Sequence, residues 1–182
     1  PYRRDGHQPI ITMQCGPVRH TADGDTSRQA GVHDRRLIRR ETGFDHQELP
    51  PEPSIHEIYG AIARDRERLR LVVSDARELI QQRRAILVLT ERREHLDQLA
   101  EELSCDISDL VVLHGGVKPK PRRLALAQLA ELPDDEPRLI LATGRYIGEG
   151  FDDPRLDTLL LTMPIAWKGT VVQYLSLIHI SE

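Results

Sequence analysis

Arg138-Leu139-Ile140-Leu141-Ala142-Thr143-Gly144-Arg145-Tyr146-Ile147-Gly148-Glu149-Gly150-Phe151-Asp152 joins an apolar run to a Thr-Gly step, then to a second glycine-rich turn closed by a carboxylate. The run from Leu139 to Ala142 has the short, continuous apolar character of a strand buried on both faces. Ligands of open α/β sheets gather at the carboxyl ends of such strands, and Thr143 and Gly144 would lie at that end. A hydroxyl and a backbone without Cβ suit close approach to phosphate. Gly148 and Gly150 permit the positive φ that would bring Asp152 back toward the same place.

Upstream and downstream of this stretch, strand and helix patterns alternate. Ala85–Leu89, Leu110–Leu113 and Thr158–Leu161 supply three more short apolar runs. Between and before them, Leu69, Val72, Val73, Ala76, Leu79 and Ile80 recur at helical spacing, as do Leu96, Leu99, Ala100 and Leu103, and a third helix is expected over Leu124–Leu132. Ser54-Ile55-His56-Glu57 has the capping-box form that starts a helix. Strands alternating with helices imply an α/β domain whose parallel sheet is covered on both faces and joined by right-handed crossovers.

The amino-terminal third reads differently. Ile10, Ile11 and Met13 within Pro9–Cys15 fit one short strand, whereas residues 21–53 are poor in apolar side chains and end in the stiff cluster Pro50-Pro51-Glu52-Pro53. That stretch reads as a linker.

At 182 residues, 39% of them hydrophobic, the chain has room for one packed domain and additional segments. A net charge of −4 gives no support for a broadly basic surface, although arginines cluster at Arg3-Arg4, Arg35-Arg36, Arg39-Arg40 and Arg122-Arg123 and leave a local phosphate track open. Cys15 and Cys105 stand far apart without a Cys-x-x-Cys pair, so neither a disulfide framework nor a zinc site is indicated and both are read as buried or inert thiols. No metal-ligand spacing is visible among the histidines. No apolar run is long enough to span a bilayer and no signal-peptide pattern opens the sequence, from which a cytoplasmic location is expected.

The segments Ala142-Thr143-Gly144-Arg145 to Glu149-Gly150-Phe151-Asp152, then Leu156 to Leu161, then Gln173-Tyr174-Leu175 resemble motifs V and VI of superfamily 2 helicases, most closely the DEAD/DEAH and type III restriction-like branch. Ala85-Ile86-Leu87-Val88-Leu89-Thr90 is similar to motif IV, and Leu113-His114-Gly115-Gly116 to the turn after the next strand. Pro1-Tyr2-Arg3-Arg4-Asp5-Gly6 resembles the segment immediately after motif III. The resemblance implies a parallel-sheet RecA-like domain of the P-loop NTPase type. It implies an internal fragment in which residues 1–20 end a first RecA-like domain, 21–53 link and 54–175 form the second, helicase C-terminal domain.

The resemblance also implies roles. Thr90, His114, Gly115, Gly116, Thr143, Gly144 and Arg145 would meet the nucleic-acid backbone, Gly150 and Asp152 the nucleotide, and Gln173 the γ-phosphate as the one catalytic candidate. ATP and Mg2+ would be bound mainly by the absent first domain, and the partner would be nucleic acid, DNA rather than RNA. Each residue also has a plainer reading. Thr90 reads as a helix N-cap, His114-Gly115-Gly116 as a turn, Arg145 as a solvated loop side chain, Asp152 as a helix or turn cap, and Gln173 as a surface glutamine. Trp167 reads as packing in the core or between domains.

Departures from the family pattern bear on activity. No Gly-x-x-x-x-Gly-Lys-Ser/Thr is present, nor an Asp-Glu pair in a setting suited to magnesium. After Leu175 the family continues with Gly-Arg and a further arginine, where this sequence reads Ser176-Leu177-Ile178-His179-Ile180-Ser181-Glu182, so residues 176–182 are expected to be non-native or truncated. The chain alone is expected to be inactive. A non-catalytic nucleic-acid-binding or interaction module is the alternative. A Rossmann-like metabolic enzyme is disfavoured, because no Gly-x-Gly-x-x-Gly opens a helix after the first strand.

Overall fold

A computed structural model describes residues 36–45, 49–107, 110–117, 119–134, 136–147, 153–165, 174–175 and 177–178. The chain divides into Pro1–Arg39 and Arg40–Glu182, and every described helix and strand lies in the second unit. The strand expected within Pro9–Cys15, Trp167, and the site candidates Gly150, Asp152 and Gln173 lie outside the described residues, as does the side chain of Arg145.

The elements are α1 Ile55–Arg64, α2 Arg66–Gln81, β1 Ala85–Thr90, α3 Arg93–Ser104, β2 Leu110–Leu113, α4 Pro119–Glu131, β3 Arg138–Thr143, α5 Gly144–Ile147 and β4 Thr158–Leu161. All pairings are parallel and the order is β2-β3-β1-β4, which places β1 and β3 in the middle. The period of two along each strand divides the core. Ile86, Val88, Leu139 and Leu141 pack with Val73, Ala76, Leu96, Leu99 and Leu103 of α2 and α3. On the other face Ala85, Leu87, Leu89, Val111, Leu113, Ile140 and Ala142 meet Leu129, Tyr146, Ile147, Leu156 and Tyr174. Each fully buried aliphatic side chain contributes about 1.5–3 kcal/mol.

Local chemistry sets the helix ends. Ser54 and Glu57 form the capping box, with Glu57 N–H donating to Ser54 Oγ at 3.3 Å and Ser54 N–H to Glu57 Oε2 at 2.8 Å. Asp65 closes α1 and opens α2, its Oδ1 accepting from the amides of Glu67 and Arg68 at 3.0 and 3.1 Å. Residues 40–45 fall within the stretch read as linker and pack on this domain. Arg40 donates twice to Asp75, at 2.9 and 2.7 Å, and Phe44 joins Ile62, Ala63 and Met163.

At the amino end of β3, the Arg138 side chain is fully buried and donates to the Pro133 carbonyl at 2.6 Å. Asp153 lies 3.8 Å from Arg138 Nη1 and accepts from Arg155 Nε and Nη2 at 2.8 and 3.1 Å. Arg155 also donates to the carbonyls of Leu129 and Leu132, which closes the end of α4. Burial would raise the Asp153 carboxyl, but hydrogen bonds and charge from Arg155, with the charge of Arg138, outweigh it and hold it below the usual carboxylate range.

The structure corrects two plainer readings. Cys105 is exposed, its position past the end of α3 leaving it outside both cores. Thr90 is not the N-cap of α3: that place is taken by Arg92, which makes no side-chain cap bond, because Thr90 is the last residue of β1. Among the described residues no helix is long and apolar enough to cross a membrane.

Candidate nucleic-acid interface

The carboxyl edge of the sheet carries the described candidates. Thr90 pairs with Thr143 across β1 and β3, and Leu113 pairs with Ala142 across β2 and β3. His114 follows directly after Leu113 and so lies just past the end of β2, near the edge where Thr143 and Thr90 pair. Alternation puts both threonines on the face that also carries Val88 and Leu141, the face covered by α3.

Each of the three has a different environment. Thr90 is 1% exposed; its hydroxyl lies 3.0 Å from His95 Nδ1 and accepts from the Arg92 amide at 3.4 Å. That hydroxyl is engaged inside the domain. Thr143, the last residue of β3, is half-buried. His114 is partly exposed at 2.7 Å from Arg93 Nη1. Burial, then the Arg93 charge, lowers the His114 pKa, with Asp97 opposing. The α3 amino terminus at Arg93 adjoins His114, and its first amides lack a side-chain cap. Such an end favours anions.

Glycines at this edge differ in what demands them. A Cβ on Gly115 would meet nothing within 4 Å, whereas one on Gly116 would come within 3.1 Å of His114 Nδ1. Gly144 opens α5 beneath Tyr174, and a Cβ there would collide with Tyr174 Oη and lie 2.5 Å from Glu91 Oε1. Tyr174 donates to Glu91 at 3.2 Å over the same spot. Internal packing by itself therefore requires a glycine at 144.

Sequence reasoning assigned no role to Arg93, His95, Glu91 or Tyr174. The i, i+5 spacing of Thr90 and His95 across the strand-to-helix turn is the one local signal for that pair. Arg93 with His114, and Tyr174 with Glu91, are contacts made only by folding. His95 is fully buried with Nε2 unpartnered; burial, then the charge of Arg68, lowers its pKa to about 4. Arg68 donates to Thr42 Oγ1 at 3.1 Å and to the Thr162 carbonyl at 2.5 Å, tying the start of the domain to the end of β4.

No protein-family model matches the sequence, and no curated protein sequence does. Solved structures do. UvsW of T4 superposes with a TM-score of 0.57 at 16% identity, over 71% of this chain and 26% of that one. The C-terminal part of the Fun30 ATPase domain gives 0.52 at 14% identity, over 63% of this chain and 37% of that one. Mss116p DEAD-box helicase domain 2, bound to an RNA duplex, gives 0.52 at 11% identity, over 64% and 45%. The chain thus spans less than half the length of each. At these identities the likeness is one of fold: the chain shares with these structures a RecA-like α/β architecture built on an all-parallel sheet.

Proposed function

We propose that the chain is the second RecA-like domain of an ATP-dependent nucleic-acid helicase or translocase, and that its sheet edge follows one strand by phosphate contacts. The supporting observation is the Thr143–Thr90 pair at the carboxyl ends of β3 and β1, with His114 just past the end of β2 and in contact with Arg93 at the start of α3. A hydroxyl, an imidazole N–H and backbone amides contact phosphate without reading sequence. Thr143 and His114 are the partly exposed members, and Thr90, with its hydroxyl turned to His95, would contribute backbone and shape. DNA is the preferred partner.

In the complete protein ATP and Mg2+ would be held mainly by a first domain, supplying the phosphoryl-transfer chemistry. Gly150, Asp152 and Gln173 are proposed for the nucleotide side of the cleft. Asp153 is committed to Arg155 and Arg138, which makes Asp152 rather than Asp153 the residue proposed for ribose hydroxyls. Arg145 is kept as a phosphate contact.

Titration of the chain against labelled single-stranded DNA and RNA at two salt concentrations tests the reading. Binding to several base sequences alike, falling steeply with salt, is expected. Absence of binding at low salt, or affinity indifferent to salt, would refute it.

A further inference from the structure

The ring of His114 is held in a way that one tautomer satisfies. Its Nδ1 lies 2.7 Å from Arg93 Nη1 and 2.9 Å from the Gly116 amide nitrogen. A guanidinium and a backbone amide can only donate, so Nδ1 accepts both and the neutral ring carries its proton on Nε2. Arg93 is fixed in turn, because its Nε donates to Asp97 Oδ1 at 2.7 Å one turn along α3. Gly116 allows the close approach, since a Cβ there would come within 3.1 Å of Nδ1 and 3.4 Å of Arg93 Nη1.

We propose that Asp97, Arg93 and Gly116 are positioning residues that hold His114 as an uncharged Nε2–H donor to a phosphate oxygen of the bound strand. The inference rests on the nucleic-acid reading above. In this arrangement Arg93 supplies the positive charge and His114 supplies direction, so the contact is specific for an acceptor placed along the Nε2–H bond. The charged groups facing the ring from α3 are Arg93 and Asp97. Protonation of Nδ1 would turn it into a donor against the Arg93 guanidinium, so ring charging and the Arg93 contact exclude each other. Binding should therefore depend less on pH around the ordinary histidine value of about 6.5 than it would with a ring free of Arg93.

Two measurements test this. Long-range 1H–15N NMR on the full chain without nucleic acid reads the His114 tautomer and titration directly. The Nε2–H tautomer is expected, with a titration that moves up toward the ordinary value in Arg93→Ala. An Nδ1–H tautomer, or a titration unmoved by Arg93→Ala, overturns the proposal.

The second measurement is the affinity for a labelled oligothymidylate between about pH 6 and pH 7.5, the range around the ordinary histidine value. The native chain should change less over this range than Arg93→Ala does. Arg93→Ala should bind roughly tenfold more weakly at the upper pH, as for one charge-assisted contact, and recover as His114 charges on acidification. Arg93→Ala with His114→Ala should show no recovery. Arg93→Lys, which keeps the charge without the fork, should restore affinity in part. Arg93→Ala with native affinity at every pH would refute the positioning role. A native chain that binds no oligonucleotide while NMR still reads the Nε2–H tautomer would instead refute the nucleic-acid reading, and phosphate as the ring's partner with it.

Discussion

Replacing Gly144 by alanine separates a glycine needed by the fold from one reserved for a ligand. The added Cβ would collide with Tyr174 Oη, lie 2.5 Å from Glu91 Oε1 and lie 2.9 Å from Tyr174 Cζ. Glu91 is exposed and can swing away, but the Tyr174 ring is 4% exposed and packed among the residues of one core. Overpacking of this kind costs about 1–3 kcal/mol, and loss of the Tyr174 to Glu91 hydrogen bond adds about 1 kcal/mol. Alanine returns about 1 kcal/mol as the better helix former. A net loss of about 1–3 kcal/mol is expected, read by urea unfolding of the full chain with an unchanged m-value. In a Tyr174→Leu background the same substitution should cost much less, since the colliding ring atoms are gone, exposed Glu91 can swing away, and neighbouring residues couple. Native stability in Gly144→Ala together with weakened oligonucleotide binding would refute the packing argument.

Thr143→Val keeps the branched shape and removes the hydroxyl; in the complete protein it should weaken single-strand binding by about 1.5–3 kcal/mol, alike for all base sequences. Loss confined to one sequence would count against a backbone contact. Gly115→Ala fills open space, so its thermal unfolding should match the native chain while oligonucleotide affinity falls, and unchanged affinity would show that no ligand approaches there. His95 supplies a pH signature. Its folded pKa is lowered to about 4, so the unfolded chain takes up the proton first as pH falls. Stability from this group is complete above about pH 6.5 and is lost progressively down to about pH 4, by on the order of 3 kcal/mol in all. Urea titrations across that window should show a shallower decline in His95→Gln, and an identical slope would show that His95 is not the group responsible.

Strand positions were legible as unbroken apolar runs, a pattern that burial on both faces explains for the central β1 and β3. Leu110–Leu113 and Thr158–Leu161 are observed as read, while β1 extends by Thr90 and β3 by Arg138 and Thr143. The Ser54 capping box was legible for the same reason, being local chemistry. Arg138 shows where local reading ends. An arginine at a strand start reads as solvated, and only the return of Asp153 and the Pro133 carbonyl makes its burial tolerable. Helix α5 was hidden by its opening glycine, which suggested a turn; Gly144 is there because Tyr174, from thirty positions along the sequence, sits on it. Thr90 and Thr143 could be named from their places after apolar runs, but their pairing needed the strand order. Arg93 and Asp97 stand at the i, i+4 spacing of a helix face, but the contact that carries them to His114, after β2, is one that no spacing rule connects.

That strand order also fixes which parts of the edge can yield. β1 and β3 are hydrogen-bonded on both sides, whereas among the described residues β2 and β4 are paired on one side only. Amides of β1 and β3 should exchange with deuterated solvent only through whole-domain opening, and those of β2 through smaller openings. Thr90 and Thr143 are thereby anchored on the slowest-exchanging part of the domain, while His114, just past the end of an outer strand, depends on its tether to α3 to stay near them.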